Sequence, residues 1–314
     1  MSIVNKALEK MKESRVLEGA QRPDFAGKSY ALSGTARLVQ SESTPLEHSN
    51  EDAPECVVNF DRAAMRAAGV LPSEADQVAS AEQYRAIKQD LIRYLSKPME
   101  IPGPPCQFIM VASALPGDGK SFTSMNLALS IAGERDYDVL LIDGDLAMRH
   151  LTRSLSMAEL PGLLDALRDS SKSFSSVTYA TNISRLSIMP AGNWSEDASE
   201  LIASERMGQL VAEIIRRNPR RIVVFDSSPV LLTPDARVLA SRVGQVVLVV
   251  KAGTTLQHDV KEAVGMLSGE GRRITLVLNQ IRSNNLLSSL VGYRYGYGYG
   301  ARQVRGDSDT PAAG

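Results

Sequence analysis

Phe108-Ile109-Met110-Val111-Ala112 runs without a break into Ser113-Ala114-Leu115-Pro116-Gly117-Asp118-Gly119-Lys120-Ser121, and a helical pattern follows to Gly133. A short, wholly apolar run is what a strand buried on both faces requires. Beyond it, glycines let backbone N–H groups approach an anion, and the start of a helix adds partial positive charge. Lys120 can reach β- and γ-phosphates, and Ser121 can hold Mg2+. Strand, Gly-rich turn and helix in this order predict a phosphate loop in which Gly117, Asp118, Gly119, Lys120, Ser121 and Phe122 meet the nucleotide. Ala114 stands where the strict pattern has glycine.

Working outward, similar apolar runs occur at Val139 to Ile142, Leu186 to Met189, Ile222 to Phe225, Val246 to Val250 and Ile274 to Leu278. Helical stretches lie between them, notably Ser121 to Gly133, Ala198 to Arg217 and Thr255 to Ser268. Alternation of this kind predicts an α/β fold, a doubly wound and mainly parallel sheet with helices on both faces and right-handed crossovers. Two strands end in carboxylates, which is where open α/β sheets bind ligands. One delivers Asp143 and Asp145; the other delivers Asp226, followed by Ser227-Ser228-Pro229. Mg2+ takes carboxylate, water and phosphate oxygens, so Ser121, Asp143 and Asp226 are the candidate metal set. Asp143 is the candidate acceptor of a proton from an attacking hydroxyl, with Asp145 beside it and Lys120 on the phosphates.

The chain's ends read differently. Ile3, Val4, Ala7, Leu8 and Met11 form one helical stripe, which predicts an amphipathic helix over residues 1–17. Residues 18–56, rich in Ser, Glu, Pro, Gly and Ala, bury too little apolar area to offset chain entropy and read as a linker. The folded domain is expected over 57–290, led by a helix at 73–96 that Pro98 stops, and residues 291–314 are expected to be a disordered tail. Lys and Arg number 35 against 36 Asp and Glu, which argues against a dedicated nucleic-acid binder. The two cysteines, Cys56 and Cys106, have no metal-ligand spacing and suit a reducing cytoplasm. No apolar run reaches the ~18 residues of a membrane span. Aromatics are scarce, yet four of the nine tyrosines, Tyr293, Tyr295, Tyr297 and Tyr299, fall within seven residues of the tail.

Taken together, these residues resemble the bacterial tyrosine autokinases of exopolysaccharide synthesis, P-loop proteins of the deviant-Walker group. The likeness covers residues 57–299 and rests on the Gly117 to Ser121 loop, Asp143 and Asp145, Asp226 to Pro229 with Asp235 after it, and the tyrosine cluster. The opening helix and residues 57–72 look like the exosortase-associated subgroup. The resemblance implies ATP and Mg2+ as cofactors and phosphorylation of Tyr293, Tyr295, Tyr297 and Tyr299 between subunits. It also implies a ring-like homo-oligomer, a membrane-embedded polysaccharide co-polymerase as activator, a cognate tyrosine phosphatase, and a cytoplasmic position at the inner membrane through that partner. The family's assembly helix carries Glu-x-x-Arg-x-x-Arg; here Glu82, Arg85 and Lys88 occupy those places. Ala147 stands where many members have arginine, two residues past the second Asp. Two other readings share the three motifs. An ATPase switch of the chromosome-partitioning kind would carry a signature Lys at the position of Leu115 and lack the tyrosines; a nucleotide-dependent scaffold would have negligible chemistry.

Overall fold

The computed structural model describes residues 36–39, 57–95 and 103–281, all within a compact unit spanning Thr35–Gly314. The expected helix at 1–17, most of the 18–56 linker and the 291–314 tail with its four tyrosines lie outside the described residues. All six expected strands are present, each within a residue or two of its sequence bounds. They are β3 (Phe108–Ser113), β4 (Asp138–Gly144), β6 (Leu186–Met189), β7 (Arg221–Ser227), β8 (Gln245–Lys251) and β9 (Arg273–Asn279). Three short strands add to them: β1 (Ala36–Val39), β2 (Val57–Phe60) and β5 (Tyr179–Thr181). Strand β1 falls inside the segment read as a linker, where it pairs antiparallel with β2.

The nine strands form one sheet in the order β1-β2-β5-β6-β4-β7-β3-β8-β9. From β6 to β9 every neighbouring pair is parallel; β5 runs antiparallel to β6. The central strands are apolar throughout because both faces are covered. Phe108, Met110 and Ala112 face one core layer, whereas Ile109 and Val111 face the other.

Helices α1 (Arg62–Ala67), α2 (Gln77–Leu95) and α3 (Lys120–Ala132) precede β4. Tyr84 and Leu91 of α2 and Met125, Leu127 and Ile131 of α3 pack into the Ile109 layer. After β4 come α4 (His150–Ser154) and α5 (Leu163–Arg168), then α6 (Ala198–Ala203), α7 (Glu205–Arg217), α8 (Pro234–Ala240) and α9 (Gln257–Leu267). Helices α5 to α9 supply the opposite layer, through residues such as Leu164, Ile202, Leu210, Leu239 and Leu267. The stretch 198–217 is two helices instead of one. Ser204 leaves helical geometry and caps α7 by accepting the Met207 N–H at 3.4 Å. Among the described residues no helix is long and apolar enough to cross a membrane.

Candidate nucleotide site

Strand β3 leads straight into the phosphate loop, and its neighbour β7 is stitched to the same loop. The N–H groups of Val230 and Leu231 donate to the carbonyls of Ser113 and Ala114 at 2.9 and 3.3 Å. Gly117 and Gly119 sit at φ +82° and +102°, a region that only glycine enters without strain. No side chain caps α3 at Gly119, which leaves the first-turn amides of that helix for an anion. Lys120, the first residue of α3, is 8% exposed.

The loop is also held from the far side of the sheet. Asn279 Nδ2 donates to the Asp118 carbonyl at 2.8 Å, and Gln280 Nε2 donates to the Gly117 carbonyl at 3.0 Å. Thr255 Oγ1 donates to Asp118 Oδ1 at 2.9 Å. The Asp118 side chain is thus turned into the protein, and only its backbone can face a phosphate. The Phe122 ring packs 6.3 Å from that of Tyr84 on α2 and is partly buried against the Ile109 core layer. Neither Asn279 nor Gln280 emerges from the sequence reading. The signal was nevertheless present, because they follow the apolar run Ile274 to Leu278 at the same strand edge that singled out Asp143 and Asp226.

A Cβ on Gly119 would collide with the Asn279 amide, and φ +102° disfavours any L-residue. Gly119→Ala is expected to weaken nucleotide binding by about tenfold or more, since it strains the loop and dislodges its clamp. Titration with a fluorescent ADP analogue reads this directly; unchanged affinity would mean that the loop tolerates a different path.

The carboxylates meet at the ends of adjacent strands, with Asp143 directly opposite Asp226 across β4 and β7. Both are fully buried and Asp145 is 5% exposed. Thr152 donates to Asp143 Oδ2 from its N–H at 2.7 Å and from its hydroxyl at 2.6 Å, while the Asp145 N–H donates to Oδ1 at 3.1 Å. Asp143 thus accepts three hydrogen bonds and is closed to solvent, which leaves it less available than Asp145 to an attacking hydroxyl. Asp145 Oδ1 accepts from Ser228 Oγ at 2.9 Å and from the Met148 N–H at 3.3 Å, and its Oδ2 makes no described bond. Ser124 Oγ donates to Asp226 Oδ1 at 3.1 Å, leaving Asp226 Oδ2 buried without a partner. Arg149, the arginine nearest Ala147, is committed elsewhere: its Nη1 donates to the Gly192 carbonyl at 3.0 Å.

Burial pushes the Asp143 carboxyl up to about 6 despite the Thr152 bonds. Burial, reinforced by repulsion from Asp143, pushes Asp226 up to about 7. Their unfolded values lie near 4, so between about pH 4 and 7 the native state binds more protons than the unfolded chain. The contribution is fully present below pH 4 and is lost as pH rises through 6 and 7. The thermal midpoint of the metal-free protein, measured in chelator, should fall across this range, and Asp226→Asn should flatten the decline. A midpoint that rises from pH 5 to 8 with the same slope in both proteins would contradict this assignment.

Among the described residues no group of three or more His, Cys, Asp or Glu forms a ready metal cage. A nucleotide-bound Mg2+ does not need one, because phosphates and water supply most of its oxygens. The unpartnered Asp226 Oδ2 next to Ser121 is a hard oxygen donor of the kind it accepts.

Fold and site together define a P-loop nucleotide-binding α/β protein. No family model matches the chain. It is 30% identical over 184 residues to the tyrosine-protein kinase YwqD of Bacillus subtilis (strain 168), covering 59% of this chain and 73% of YwqD. It is 32% identical over 193 residues to EpsB of Ralstonia solanacearum, covering 60% of this chain and 24% of EpsB. Among solved structures, the VpsO kinase domain superposes with a TM-score of 0.54 at 29% identity, covering 67% of this chain and all of that domain. The chain belongs to the bacterial tyrosine-protein kinase family. It spans about a quarter of the length of EpsB.

Proposed function

We propose that this chain is a Mg-ATP-dependent protein-tyrosine kinase that phosphorylates its own Tyr293, Tyr295, Tyr297 and Tyr299 between subunits. The observation that carries this reading is the gathering of Asp143, Asp145 and Asp226 at two adjacent strand ends beside Lys120 and Ser121. In this reading Lys120 and the loop amides hold the phosphates. Ser121 and Asp226 would hold Mg2+, which when bound supplies positive charge against the transferring phosphoryl group. Asp145, with one oxygen left free, takes the phenol proton, and Asp143 fixes Asp145 through its backbone N–H.

Glu82 and Arg85 lie exposed on α2 and pair with each other at 3.2 Å, so they are available to a neighbouring subunit. Lys88 is not. It is 7% exposed and bonds Glu134 at 2.5 Å and the Ser130 carbonyl at 3.2 Å, so self-assembly through α2 would rest on the other two. A membrane-embedded activator on another chain, a cytoplasmic position beside it, a cognate phosphatase and a role in exopolysaccharide synthesis complete the proposal. They rest on family membership.

Incubating the purified chain with Mg-ATP and mapping phosphate by mass spectrometry tests the core of this reading. Phosphate on the tail tyrosines is expected. Phosphate released only to water, with no modified tyrosine, would favour the ATPase switch.

A further inference from the structure

A second site lies away from the phosphate loop. A cavity of about 580 Å3 opens between α1, the first half of α2 and the second half of α3, and residues 183–185 ahead of β6 close its remaining side. Helix α3 starts at the phosphate loop and rises about 1.5 Å per residue, which puts Ser130 at the cavity roughly 15 Å from Lys120. The volume falls within the usual range for ligand pockets.

The lining is strongly one-sided in charge. Arg62, Arg66, Arg85, Lys88 and Arg185 face the cavity, and no Asp or Glu lines it. Three of these cations have acidic partners at the rim: Arg66 with Glu74, Arg85 with Glu82 and Lys88 with Glu134. Arg62 and Arg185 have none among the described residues. Arg185 holds a left-handed backbone at φ 64°, a conformation uncommon for a non-glycine residue. Between the cations lie apolar walls from Leu71, Pro72, Leu129 and Ile183, and the buried ring of Tyr84. Two uncompensated guanidinium groups above an apolar floor suit a ligand that joins an aromatic ring to a phosphate dianion.

This chain carries such a ligand once its tail is phosphorylated. Unmodified, residues 291–306 hold Arg294, Arg302 and Arg305 and no acidic residue, so a cationic cavity repels them. Each phosphate adds about −1.5 to −2 charges and reverses that sign. Length permits the encounter as well. Tyr293 and Tyr299 lie twelve and eighteen residues past Ile281, reaches of roughly 40 and 60 Å; β9 and β6 are five strand spacings apart, about 24 Å, and the cavity lies at the opposite strand ends, a further seven-residue strand length of roughly 23 Å.

We propose that the cavity between α1, α2 and α3 is a phosphotyrosine site that receives the phosphorylated tail of this chain. The proposal rests on the kinase reading for the origin of its ligand. Its test does not, because the ligand can be synthesised.

A labelled peptide spanning residues 290–302, with phosphate on all four tyrosines, is titrated into the full chain whose own tail tyrosines are changed to Phe. Binding at least about tenfold tighter than that of the unphosphorylated peptide is expected from charge alone. The double change Arg62→Ala with Arg185→Ala should remove that advantage at an unchanged thermal midpoint, and excess Mg-ADP should leave binding intact. Equal affinity of the two peptides, or undiminished binding to the double variant, overturns the site. Displacement by Mg-ADP assigns the peptide to the phosphate loop, and equal binding of a phosphoserine version removes the aromatic requirement; either result overturns the proposal too.

Discussion

Replacing Lys120 with alanine is expected to lower the rate of tyrosine phosphorylation by roughly 10³-fold with the sheet intact, the scale on which a preorganised charge-stabilising group acts. Lys120 is nearly buried at the start of α3, among three carboxylates, and no ion pair within 4 Å is described for it. Its charge favours the ionised form of Asp226. Because burial screens it from water, that charge is worth more against a phosphate than a surface lysine would be. In Lys120→Ala only backbone amides and Mg2+ would balance the phosphates beside three carboxylates, so nucleotide affinity should fall along with turnover. Phosphotyrosine formed from Mg-ATP is the readout, with circular dichroism as the control for folding. Activity within about tenfold of the parent would mean that another cation neutralises the transferring group.

What could be read in advance followed the strength of the local signal. Strand β3 and the loop after it were legible because a continuous apolar run and two obligatory glycines each have few alternative explanations. Strands β2 and β5 were not, since four and three residues are too few to show a period, and their pairing is settled by tertiary contact. The carboxylates were found by their position at strand ends, but not their division of labour. That depends on Thr152, nine residues from Asp143 in sequence and bonded to it only because α4 folds back over β4. Lys88 illustrates a different limit. The resemblance places Lys88 at a subunit contact with Glu82 and Arg85, whereas Tyr84, Lys88 and Leu91 share the buried stripe of α2 and Lys88 bonds Glu134 just past the end of α3. A lysine can bury its stem wherever its ammonium finds a carboxylate, and only the packing of two helices reveals that partner.

Changing Tyr293, Tyr295, Tyr297 and Tyr299 together to Phe should remove at least about nine-tenths of the phosphotyrosine while ATP binding stays unchanged; each ring is kept and only the acceptor hydroxyl goes. Burial in the folded domain supports so large an effect. Of the nine tyrosines, Tyr84, Tyr94, Tyr137 and Tyr179 lie in the described residues, and none of them is exposed. The Tyr84 hydroxyl is bonded to Thr123 and that of Tyr179 to the Pro161 carbonyl, and the Tyr94 ring lies under the Arg273 guanidinium at 5.0 Å. The hydroxyls of Tyr84 and Tyr179 cannot enter another subunit's phosphate site without local unfolding, and Tyr94 and Tyr137 are half-buried. Tyr30, Tyr94 and Tyr137 are the remaining acceptors outside the tail cluster. Site mapping of the Phe variant therefore separates two outcomes. Loss of signal with intact ATP affinity assigns the acceptors to the tail, whereas a full signal retained on Tyr30, Tyr94 or Tyr137 sinks the assignment and makes the tail a bystander. Loss of ATP affinity would sink it as well, since a hydroxyl serving only as acceptor contributes nothing to the phosphate loop.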